Sequence, residues 1–229
     1  MNPEIINIKR PWTLKRSIIL AIISLLIGTL CLSLSYISAK GYFGVNSFNQ
    51  PVLDYMLSVR QLTLTDYMST ITIFGSFITV VALTLSTAII WISYKKEFWR
   101  PSLLISSIVV AAGLMSLLKS WFAVSRPATS FMILPFETDF SFPSGHTLMI
   151  FVYLLVLGYL IYSRRSSFMR IFGWITATFI ITSVIAISRL YLGYHWLTDI
   201  TASIGISLIL FSIVILVDKA VTQKFTRLQ

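Results

Sequence analysis

Charge is scarce in this 229-residue chain: 11% of its residues are charged, only eight are acidic and two are histidine. A water-soluble domain carries roughly 25% charged residues. With 56% hydrophobic residues there is too little polar cover for a water-facing surface, so the composition excludes a soluble fold and indicates an integral membrane protein. The lone cysteine, Cys31, excludes an intrachain disulfide framework. No repeat, low-complexity tract or polar stretch suggests a second unit, and residues 1–229 read as a single domain.

What the chain does have is six apolar runs, at 17–38, 71–94, 102–118, 147–162, 171–187 and 200–217. Most reach or approach the roughly 17 to 25 residues a spanning helix needs, and the shorter ones adjoin polar motifs. The fold class expected is all-α, six transmembrane helices in one bundle. Lys9, Arg10, Lys15 and Arg16 precede the first run. That run is too long for a signal-peptide core, and Ile37 fits poorly at the small-residue position before a cut after Ala39, so an uncleaved anchor is expected. In the connection at 40–69, Ser47 and Gln50 have capping-box spacing and Pro51 follows. Phe48, Val52, Tyr55, Met56, Val59 and Leu62 recur there at helical intervals, which predicts one extra interfacial helix between the first two spans. The connection from Arg126 to Pro143 mixes Glu137 and Asp139 with four phenylalanines and reads as a loop.

A net charge of +10 suggests nucleic acid, but its placement argues otherwise. Thirteen of the eighteen basic residues lie before the first run, in the second and fourth connections and in the tail. In a six-span chain these are all one side, which the positive-inside rule assigns to the cytoplasm together with both termini. No nucleic-acid partner is expected; the partners are the phospholipid bilayer and a ligand at the other face.

The polar exceptions lie at that other face. Lys119 and Arg126 are seven apart, near two helical turns, so both can project from one face of the third span, with Pro127 limiting its continuation. Two such cations suit an anion with several oxygens, or are interfacial snorkelling residues. Pro143-Ser144-Gly145-His146 precedes the fourth run, where free backbone N–H groups bind anions; His146 can donate a proton there, or the motif is a plain capped turn. His195 and Asp199 are four apart, neighbours on one face at the start of the sixth span, where a carboxylate fixes the imidazole and leaves its other nitrogen able to attack. Ser188-Arg189 closes the fifth span and can supply a third cation. A divalent metal would be repelled by three cations, and a serine-hydrolase reading of Ser144 gives them no role. The aromatics Trp121, Phe142, Tyr191, Tyr194 and Trp196 read as an interfacial belt.

Lys119, Arg126-Pro127, then Pro143-Ser144-Gly145-His146, then Ser188-Arg189, His195 and Asp199 together resemble the three-part signature of the type 2 phosphatidic acid phosphatase superfamily, with no departure at a signature position. The match spans 119–199, and the six-span layout extends it to the whole chain. The resemblance implies His195 as nucleophile forming a phosphohistidine, Asp199 as its orienter and His146 as the proton donor to the leaving oxygen. Lys119, Arg126, Ser144, Gly145 and Arg189 would hold the phosphoryl group, and no metal or other cofactor is implied. The expected activity is dephosphorylation of a membrane lipid phosphate or pyrophosphate of the undecaprenyl pyrophosphate, phosphatidylglycerophosphate or phosphatidate class. It would take place at the extracytoplasmic face of a bacterial cell membrane. A phosphotransferase passing the phosphoryl group to another lipid such as lipid A shares the first half-reaction. A lipid-binding or transport protein would have no need of the nucleophile.

Overall fold

The computed structural model describes residues 12–39, 48–164 and 168–226. Among them are eight α-helices: α1 (Leu14–Ala39), α2 (Asn49–Ser58), α3 (Leu62–Ile73), α4 (Phe77–Lys95), α5 (Trp99–Phe122), α6 (Gly145–Tyr162), α7 (Phe168–Tyr191) and α8 (Leu197–Thr226). The expected all-α, six-span architecture is present: α1, α4, α5, α6, α7 and α8 are each long and apolar enough to cross a bilayer. Side chains such as Leu26, Ile89, Val109 and Phe179 project outward from α1, α4, α5 and α7, as lipid-facing residues do. Helix α6 is the hub, packed against α4, α5, α7 and α8, with Leu148, Val152 and Val156 wholly enclosed.

Close packing depends on small residues. A Cβ on Gly28 of α1 would lie 2.7 Å from the Gly205 carbonyl oxygen of α8, and one on Gly205 would lie 2.7 Å from that of Gly28. This is the backbone approach that small residues permit between membrane helices, where lipid offers no hydrophobic drive to association.

Four sequence expectations need correction. The second span begins at Phe77 and not at residue 71, because the chain turns at Phe74–Ser76 and the Ser76 hydroxyl caps α4 by accepting from Thr79 N at 3.2 Å. Gly75 is what lets this turn tuck under the site: a Cβ there would lie 2.7 Å from Ile185 Cγ2 and 3.1 Å from His146 Cβ. The single interfacial helix is instead two, α2 and α3. Ser47 of the expected capping box lies outside the described residues, and Gln50 donates to Asp54 at 2.8 Å. Helix α5 stops at Phe122, where Ala123 adopts a left-handed conformation with φ of 45°, so Arg126 belongs to the following loop and not to the helix that carries Lys119. Of the aromatics read as a belt, Phe142, Tyr191 and Tyr194 are buried packing residues, while Trp121 stays 81% exposed.

Arg60, in the turn between α2 and α3, donates from Nε and Nη2 to the Tyr191 carbonyl at 2.9 and 2.7 Å. It thereby caps the last turn of α7 with a cation, where the helix dipole favours one. The chain then reverses through Gly193, whose φ of 77° and contact with the Phe131 carbonyl leave no room for a side chain. This reversal delivers Tyr194 and His195 to the head of α8.

Candidate active site

Five helix termini meet at one end of the bundle. They are the starts of α4, α6 and α8 and the ends of α5 and α7, and the 123–144 loop folds over them. Between them is a cavity of about 200 Å³, lined on its polar side by Lys119, Arg126, Glu137, Asp139, His146 and His195 and on its apolar side by Phe77, Met115 and Met149. Of the signature residues, Lys119, Arg126, Gly145, His146 and His195 line this cavity, and Ser144, Arg189 and Asp199 do not.

His195 sits two residues before α8, not within it, yet its Nδ1 still reaches Asp199 Oδ2 at 3.3 Å. The same Oδ2 accepts from Trp196 N at 2.8 Å and from the Ser141 hydroxyl, so both the carboxylate and the ring are fixed. His195 Nε2 faces Arg126 Nη1 at 3.3 Å. A guanidinium only donates, and a carboxylate only accepts, so the partners select a neutral imidazole with its proton on Nδ1 and its lone pair on Nε2. Burial first, and then the charges of Arg189, Arg126 and Lys119, push His195 well below its ordinary value of 6.5.

The three cations share two carboxylates. Arg126 pairs with Glu137 at 2.8 Å and Asp139 at 2.6 Å, and Lys119 pairs with Asp139 at 2.8 Å. Arg189, almost fully enclosed, binds Glu137 through Nη2, donates to Thr72 Oγ1 at 3.1 Å and stacks over the Tyr194 ring at 4.3 Å. Burial by itself raises Asp139, but hydrogen bonds from Lys119 and Arg126 outweigh it and hold this carboxyl below the ordinary range.

The loop carboxylates and Ser141 were not singled out by the sequence. Their one available signal was that Glu137 and Asp139 are two of only eight acidic residues, placed on the face that carries the exceptional cations.

The Pro143–His146 motif divides its tasks. Gly145 and His146 open α6 and line the cavity. A Cβ at Gly145 would lie 2.5 Å from Met115 Sδ, so the glycine admits the neighbouring wall. Ser144 is fully buried, does not line the cavity and makes no side-chain cap; its hydroxyl lies 3.2 Å from Thr147 Oγ1. Arg189 and Asp199 likewise stand behind the lining, where Arg189 contacts Glu137 and Asp199 contacts His195.

Residues 100–222 match the family model of the PAP2 superfamily, more than half of the chain. The chain belongs to the PAP2 superfamily. Phosphatidylglycerophosphatase B of Bacillus subtilis (strain 168) is 28% identical over 176 residues, covering 74% of this chain and 83% of the relative. The crystal structure of the transmembrane PAP2-type phosphatidylglycerolphosphate phosphatase from Bacillus subtilis superposes with a TM-score of 0.76 at 24% identity, over 86% of this chain and 96% of that one. Aquifex aeolicus LpxE matches with a TM-score of 0.54 at 25% identity, over 73% and 94%. This PAP2 protein is therefore a multi-pass membrane enzyme of a phosphatase family that hydrolyses lipid phosphates.

Proposed function

We propose that the protein removes a phosphate from a membrane lipid phosphate or pyrophosphate by attack of His195 Nε2 on phosphorus. The P–N bond forms as the bond to the leaving oxygen breaks, and His146 supplies the proton that oxygen needs. Water then attacks the phosphohistidine, returning neutral His195 and releasing inorganic phosphate. The observation that carries this reading is the orientation of His195, with Nδ1 on Asp199 and Nε2 turned into the cavity beside Arg126.

Phosphoryl transfer needs positioning and charge stabilisation more than covalent assistance. Lys119 and Arg126 would take phosphoryl oxygens directly, aided by the N–H groups that open α6 at Gly145 and His146. Arg189 would add its charge from behind as the phosphate displaces Glu137, and Ser144 would hold the start of α6 in place. Three cations do here what a divalent metal does in other phosphoryl-transfer sites, and no cofactor is invoked.

The apolar wall of Phe77, Met115 and Met149 suits a lipid chain attached to the phosphate. Similarity to phosphatidylglycerophosphatase B of Bacillus subtilis supports phosphatidylglycerophosphate first among the three lipid classes expected here. The basic residues Lys15, Arg16, Lys95, Lys96, Arg100, Arg164, Arg170 and Lys219 belong to the helix ends opposite the cavity. By the positive-inside rule that end is cytoplasmic, and the cavity opens on the extracytoplasmic leaflet of a bacterial cell membrane.

The test is phosphate release by purified protein from phosphatidylglycerophosphate, phosphatidate and undecaprenyl pyrophosphate, with chelator present. Turnover of at least one lipid that resists the chelator supports the reading; turnover that requires added metal overturns it.

A further inference from the structure

At the end of the bundle away from the cavity, a groove of about 540 Å³ lies between α4 and α6. Thr87 of α4 and Tyr153 of α6, joined hydroxyl to hydroxyl at 2.8 Å, tie the two helices together where it begins. Its walls are apolar, with Ile90 and Ile161 at the exposed rim and Leu157 beneath. Its head is basic: Lys95 ends α4, Arg100 stands in the first turn of α5 and Arg164 follows α6.

The cations are only partly answered by protein. Arg164 forms a fork with Glu97 at 2.8 and 3.1 Å but keeps half its side chain exposed and further N–H donors free. Arg100 is 4% exposed and answered from within: it donates to the Leu160 carbonyl and to Ser163 Oγ, and its Nε pairs with Glu97 Oε1 at 3.5 Å. Among the described residues Glu97 is the one carboxylate lining the groove against three cations, Lys95, Arg100 and Arg164, so the described head keeps a positive balance.

An apolar trough between two helices of spanning length that ends under a cluster of cations at the helix termini matches one ligand in shape and charge. We propose that this groove is a binding site for an anionic phospholipid of the leaflet opposite the active site. The headgroup phosphate would rest on Lys95 and the free side of Arg164, and one acyl chain would lie between α4 and α6. The site is separated from the catalytic cavity by the length of α6, 18 residues or roughly 27 Å. A lipid here is a resident and not a substrate.

The experiment is native mass spectrometry of the full-length protein in detergent, titrated with phosphatidylglycerol or with phosphatidylcholine. A Lys119→Ala background weakens competing capture in the active-site cradle. The expected result is a first phosphatidylglycerol bound at least about fivefold more tightly than phosphatidylcholine, an effect in keeping with charge-assisted hydrogen bonds. That preference should vanish in Lys95→Gln/Arg164→Gln. Binding should weaken likewise in Ile90→Trp and Ile161→Trp, which fill the trough without altering charge, and persist in Arg170→Gln, a cation at the same end outside the groove. Equal binding of the two lipids, equal loss in Arg170→Gln, or loss in the charge variants with none in the tryptophan variants would overturn the proposal; the last two outcomes would indicate diffuse attraction to a basic surface. Thermal unfolding of each variant separates loss of the site from loss of the fold.

Discussion

Asp139 carries a paradox that only its neighbours resolve. It is a carboxylate inside the proposed phosphate cradle, held ionised because Lys119 and Arg126 both bind it. An incoming phosphate must take those donors from it. Asp139→Asn should therefore lower KM several-fold and strengthen inhibition by inorganic phosphate, as steady-state kinetics would show; a raised KM would mean that Asp139 positions the cations instead. Behind the proposed nucleophile, Asp199→Asn should cut kcat by roughly 10²-fold or more while leaving KM nearly unchanged, by analogy with other carboxylate-oriented histidines.

The chain has only two histidines, so nitrogen NMR of labelled imidazoles can follow His195 with a His146→Gln control. Its depressed folded-state pKa means that the folded chain holds fewer protons there than the unfolded chain at acid pH. That contribution to stability is thus full above 6.5 and is lost as pH falls through the folded value. At pH 6 the spectrum should show a neutral ring protonated on Nδ1; an imidazolium titrating at 6.5 or higher would contradict the geometry.

At the scale of elements, the site depends on turns more than on spans. The reversal between α7 and α8 is fixed by Arg60 on the end of α7 and by the positive φ of Gly193. Gly193→Ala should cost about 1 to 3 kcal/mol of stability, read as a lowered thermal midpoint, with activity falling as His195 shifts. These turns were the least legible part of the sequence. Residues 71–76 continue an apolar pattern, so hydropathy alone ran the second span through the turn that Gly75 and Ser76 make. Lys119 and Arg126 converge as their spacing suggested, but by a loop folding back and not by a shared helical face. By contrast, the six spans were readable because each is bounded by charge or by a polar motif. His195 and Asp199 were readable because polar groups are too costly in such a chain to be incidental. Glu137 and Asp139 were not, because acidic residues in a loop ordinarily face water, and only their contacts place them inside the site.

For the whole molecule, the separation of charge by ends is the organising fact. The described basic residues of the second and fourth connections lie at one end of the helices, and the cations of the cavity lie at the other. After replacement of Cys31 by serine, a cysteine introduced in the 129–142 loop should react with an impermeant maleimide applied outside intact cells. One introduced beside Arg164 should react only after lysis. Labelling in the reverse sense would place the active site in the cytoplasm. The fold holds the two ends apart with a tightly packed α6, so the polar chemistry at one end is insulated from the basic surface at the other.

The most direct test of the mechanism is rapid quenching of the enzyme with lipid labelled in its terminal phosphate, followed by peptide mapping. The account predicts an acid-labile, base-stable phosphoryl group on the peptide containing His195, absent from His195→Ala, whose turnover falls about 10⁴-fold or more. Full turnover by His195→Ala, or label on any other residue, would contradict it.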